Sequence, residues 1–113
     1  MANTFTNKKA DLTTTNLTSV YTVPTATTAI IKSILVSEDA GSGTTIDVTL
    51  VDSSSNIFNL FKTKAISSNT TVELLTQPLV LEESEILKVQ AADANELHVI
   101  VSILEVKPRE VTT

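Results

Sequence analysis

The stretch VYTVPTATTAIIKSILVSEDAG, Val20 to Gly41, decides how the chain is read. It predicts two strands joined across the turn Pro24–Thr28, the second apolar at most positions from Ala29 to Val36. A strict period of two puts Ile30, Ile34 and Val36 on one face, interrupted by Lys32. Ile31 and Leu35 fall on the other, with Ser33 between them. A strand with one wet face alternates apolar and polar residues, so this strand is expected to be covered on both sides.

The rest of the chain carries the same period of two rather than 3.6. In TTIDVTLVD (Thr44–Asp52), Ile46, Val48 and Leu50 share one face; in ILKVQA (Ile86–Ala91), Leu87, Val89 and Ala91 do. The run LHVIVSILEV (Leu97–Val106) is apolar on both faces, with Leu97, Val99, Val101 and Ile103 against Ile100, Leu104 and Val106. Further strands are expected in NIFNLFKTKAI (Asn56–Ile66) and TTVELLT (Thr70–Thr76). Gly41 and Gly43 mark a hairpin turn, and Asp52, Ser53–Ser55 and Asn56 another, where side chains can bond the backbone. Pro78 makes Gln77–Glu85 an edge or a crossover, because proline cannot donate to a ladder.

Seven or eight short strands with turns every eight to twelve residues or so predict an all-β antiparallel sandwich, jelly-roll or Ig-like, without significant helix. The expected organisation is a single sandwich domain over 17–106, an amino-terminal arm over 1–16 and a polar tail over 107–113. The 113 residues are 42% hydrophobic, enough for one core.

Composition excludes much chemistry. Without cysteine there is no disulfide framework, thiolate site or cysteine nucleophile. The net charge is −5, and residues 17–106 carry four lysines against eleven acidic groups. An acidic body is poorly suited to gripping phosphate backbones, so no nucleic-acid partner is expected. No stretch approaches the ~20 apolar residues of a membrane span, so no membrane partner is expected either. The amino terminus lacks the apolar run of a signal peptide. The whole chain is therefore expected to be the mature form, made in the cytoplasm.

Candidate sites are few. His98, the sole histidine, lies opposite Leu97 and Val99 and is expected to be a surface or interface residue. Zinc needs several His or Cys ligands. The carboxylate-rich LEESE (Leu81–Glu85) lacks the spaced order of a calcium loop. Gly-Ser-Gly at 41–43 has no lysine after it and is no P-loop. No catalytic, cofactor or metal residues are therefore assigned, and the chain is read as a non-enzyme.

The sharper signal is the surplus apolar surface, which marks interfaces when exposed. Phe5, Leu12, Tyr21, Ile31, Leu35, Ile100, Leu104 and Val106 are the candidate contacts. The cover is either the chain's own arm and loops or a sister subunit, and a homo-oligomer is expected. On this reading Ile31→Asp abolishes assembly and leaves a soluble monomer. A carbohydrate-binding module using loops 39–44 and 92–96 is the alternative from another class, although none of the four aromatic residues falls there.

MANTFTNKK, TSVYTVPTATTAIIKSILVSED, TIDVTLVDSSSN and the run from Lys64 to Val106 together resemble small virion structural proteins of tailed bacteriophages, marine phages in particular. The weight rests on the MANTF start, Tyr21-Thr22-Val23-Pro24, Leu79-Val80-Leu81-Glu82 leading into Leu87-Lys88-Val89, and the closing Leu97, Val99, Val101, Leu104 and Glu105. The resemblance implies a β-sandwich in or on a virion. The expected role is capsid decoration or cement, with a neck or tail accessory position as the variant. The expected partners are other virion proteins.

Overall fold

The computed structural model describes residues 2–107. Its strands are β1 (Ala2–Leu12), β2 (Thr18–Thr22), β3 (Thr28–Glu38), β4 (Thr44–Val51), β5 (Ile57–Ile66), β6 (Thr71–Glu73), β7 (Leu79–Leu81), β8 (Ile86–Ala91) and β9 (Leu97–Lys107). One sheet, A, runs β1-β9-β3, with β6 and β7 both pairing the far edge of β3; the other, B, runs β2-β8-β4-β5. Every pairing is antiparallel. With β6 and β7 counted as one interrupted strand, this is the order of a jelly roll. The expected sandwich is therefore present, and its topology is not Ig-like.

The inner faces form one core. Leu97, Val99, Val101 and Ile103 of β9 meet Leu87, Val89, Ala91, Ile46 and Val48 of sheet B, all essentially without solvent contact. Each of the Leu, Val and Ile side chains contributes roughly 1.5–3 kcal/mol through burial.

Two sequence expectations change here. The segment expected as a separate arm, 1–16, contains the eleven-residue strand β1, paired with β9 from Ala2↔Lys107 to Leu12↔Leu97. Its alternation is weak because Lys8 occupies an inward-parity position at the open edge, where a charged side chain reaches water. Of the expected tail, Lys107 closes β9 and residues 108–113 lie outside the described residues.

The second change concerns β3. Its pairing with β9 steps from Ile31↔Ile103 to Ser33↔Ser102, leaving Lys32 as an extra residue. Such a bulge reverses parity beyond it. Ala29 and Ile31 point inward before it; Ile34, Val36 and Glu38 point inward after it. Ile30 and Leu35 point outward. Much of the apparent double-sided greasiness is thus one inward face shifted in phase.

The same place interrupts the opposite edge of β3, because β7 pairs Ala29–Ile31 and β6 pairs Leu35–Ser37. The Glu73 carboxylate bridges the gap. It accepts the Ile34 N–H at 2.8 Å, the Leu75 N–H at 3.1 Å and the Ser33 hydroxyl. Partial burial opposes its charge, yet these donors hold its carboxyl below the usual range.

Candidate functional site

Residues directly opposite one another in an antiparallel sheet point to the same side, so the register of sheet A defines its outer surface row by row. One row is Phe5 on β1, Leu104 on β9, Ile30 on β3 and Val80 on β7. Four strands therefore contribute one apolar side chain each to a band across the whole sheet. A second row is Lys9, Ile100, Leu35 and Glu73. Between them lie Asn7, Ser102 and Ser33, which are polar, and Val106 extends the apolar band beside Asn3 and Thr28. Phe5 is 76% exposed, Val80 56% and Ile100 40%, while Ile30, Leu35, Leu104 and Val106 are half-buried by their neighbours.

The candidate contacts divide accordingly. Phe5, Leu35, Ile100, Leu104 and Val106 converge on this one face. Leu12, Tyr21 and Ile31 do not: at 1%, 3% and 0% exposure they belong to the core of the chain itself. Ile31 was misplaced because the bulge at Lys32 reverses parity within its strand, and Leu12 and Tyr21 because neighbouring polar residues concealed inward positions. Consequently Ile31→Asp places a charge in the core and is expected to unfold the chain rather than release a soluble monomer. Sequence reasoning missed Ile30 and Val80. Val80 was legible in principle, since Leu79 and Leu81 flank it at the opposite parity.

His98 stands at the end of the same outer face. Its Nε2 lies 3.2 Å from Asp11 Oδ1 on β1, and its Nδ1 lies 3.4 Å from Asp39 Oδ2 beyond β3. Both ring nitrogens thus face carboxylates. A nucleophilic triad would require one of them to accept from a hydroxyl, and no such hydroxyl is bonded to His98 among the described residues. The imidazole clips the edge strand and the β3–β4 turn to β9.

The loops proposed for sugar binding lie together at one end of the sandwich, with much of their polar capacity used internally. The Thr44 hydroxyl donates to Asp93 at 2.7 Å, the Ser42 hydroxyl donates to Glu96, and the Asp39 N–H donates to the Glu96 carbonyl at 3.3 Å. Beneath them, Glu38 is almost wholly buried and accepts the N–H groups of Asn69 (2.9 Å), Gly41 (3.1 Å) and Ser42 (3.4 Å). The Asn69 N–H, followed by its other donors, lowers its carboxyl to about 2 despite burial. Gly41 and Gly43 supply the positive φ that this turn requires. No three metal-ligating side chains converge among the described residues.

No protein-family model and no curated protein matches the sequence. Among solved structures, the chain is similar to one from the disulfide-linked pili formed by Bacillus endospore appendages. That match has a TM-score of 0.59 at 7% identity and covers 96% of this chain and 88% of that one. It supports the fold alone. The capsid asymmetric unit of the cyanophage Pam1 aligns with a TM-score of 0.46 and 16% identity, covering 94% and 86%. The C-terminal family 22 carbohydrate-binding module of Clostridium thermocellum Xyn10B aligns at 0.32 and 21%, covering 85% and 66%. At such scores neither of the last two carries weight.

Proposed function

We propose that this chain is a non-enzymatic structural subunit of a tailed-phage virion, a capsid decoration or cement protein that meets neighbouring subunits through the outer face of sheet A. The observation that carries the reading is the four-strand row Phe5–Leu104–Ile30–Val80, open to solvent on a rigid, paired sheet. Exposed contiguous apolar surface marks interaction sites. The sequence resemblance to virion structural proteins supplies the setting, and the acidic body suits a component that works beside packaged nucleic acid without adhering to it.

The test is the copy number of this chain in purified particles. On the order of hundreds supports a shell position by the symmetry of such assemblies, on the order of ten supports a neck or tail position, and absence from the particle overturns the reading. In the same particles Leu104→Asp is expected to reduce incorporation, whereas Lys64→Asp on β5 is not. A glycan array with specific hits abolished by changes at 39–44 or 92–96 would favour the carbohydrate-binding module instead.

A further inference from the structure

Resting on the reading of sheet A's outer face as a docking surface, we infer that its occupant is a second copy of this chain, placed face to face about a two-fold axis parallel to the strands, between β9 and β3. The charge arrangement favours this placement. Such an axis keeps each row at its own height and reverses it from left to right. Lys9 then lies over the partner copy's Glu73, Ile100 over Leu35, Leu104 over Ile30 and Phe5 over Val80. Apolar groups meet apolar groups and opposite charges meet at the rim, and Lys32, exposed beside Phe5, Asn7 and Ser102, is among the described residues the one cation set within the face. In the next row Asp11 faces Thr71 and His98 faces Ser37, so no like charges oppose. A two-fold axis running across the strands instead sets Lys9 against Phe5 and Glu73 against Val80, stranding charge on apolar side chains.

The size is also adequate. Three eleven-residue strands rising ~3.3 Å per residue and set ~4.8 Å apart, with the two three-residue strands β6 and β7 beyond them, present a face of roughly 600 Å². Specific interfaces bury from about 600 Å² per partner at their low end, the range of a weak, reversible dimer. Aligned sheets packed face to face meet through such alternating side chains.

The experiment uses the full chain. It has no cysteine, so introduced thiols are the only ones present. Phe5 and Val80 stand at opposite edges of one face, about three strand spacings apart, too far for a disulfide within a chain. Across the proposed axis they oppose. The double variant F5C/V80C is therefore expected to form a covalent dimer on mild oxidation, and F5C and V80C alone are not. Sedimentation equilibrium should show a reversible dimer, weakened about 10–100-fold by Leu104→Asp and about two- to fivefold by Lys9→Ala, with the Lys9 effect vanishing at high salt. A monomer at all attainable concentrations overturns the inference and assigns the face to a different partner. Cross-linking through F5C alone also overturns it, by placing β1 over β1. Either result leaves the virion reading standing if the chain is still counted in particles.

Discussion

The Tyr21 hydroxyl donates a 2.6 Å hydrogen bond to Oε2 of Glu105, tying β2 of one sheet to β9 of the other at the edge of the core. The phenol is buried to 3% exposure, and burial, reinforced by the neighbouring carboxylate, pushes its ionisation well above the ordinary value of 10.0. Tyr21 is the only tyrosine, so phenolate absorbance reports this group alone. Because the folded state binds the proton more tightly, this contribution to stability is complete below pH 10 and is lost as pH rises beyond it. Phenolate absorbance in the native chain is therefore expected only with alkaline unfolding. Tyr21→Phe should cost about 1–2 kcal/mol in chemical denaturation, and an ordinary titration near pH 10 would refute the contact.

Glu38 behaves in the opposite sense. Its folded carboxyl titrates at about 2 against an ordinary 4.5. The stability it contributes is present above pH 4.5 and is lost as pH falls toward 2. Asp52, which accepts the Ser54 and Asn56 N–H groups at 2.9 Å, and Glu73 are also held low and act in the same direction. The thermal unfolding midpoint should therefore fall steadily as pH is lowered across that window. Glu38→Gln should flatten the acid limb and lose less stability at neutral pH than Glu38→Ala, which leaves three loop N–H groups unpaired.

Ile31 and Leu104 separate folding from association. Ile31→Ala is expected to cost about 2–5 kcal/mol, a large part of the total stability of a small domain. Leu104→Asp, on the outer face, should leave the unfolding midpoint nearly unchanged while weakening self-association about 10–100-fold. Denaturation and sedimentation on the same two variants check the assignment of each residue to its face.

Deleting residues 1–12 should prevent folding rather than trim an appendage. The deletion removes β1, including the fully buried Leu12, and bares the flank of Val99, Val101 and Ile103 on β9. Loss of cooperative unfolding in the truncated chain is the expected result; a folded product would show β1 to be dispensable.

Much of this architecture was readable before any coordinates. Leu87, Val89 and Ala91 alternate with Lys88 and Gln90 because β8 has one dry face, and their inward placement follows from period two alone. Pro78 announced the edge position of β7, and the glycines the β3–β4 turn. The outer-face candidates on β9 were visible because that strand keeps one register along its length.

What composition and periodicity determined by themselves was a two-layer β structure with one core, spare apolar surface and no thiol chemistry. Tertiary pairing alone decided which side chains form that surface. A single extra residue at Lys32 exchanges the faces of β3, and no local pattern marks where a bulge falls. Likewise, β1 is a strand because β9 offers it a ladder of backbone partners, a long-range bond pattern that its own polar residues do not encode. The four-strand row from Phe5 to Val80 joins residues up to 99 positions apart. It exists only once the register of four strands brings them abreast.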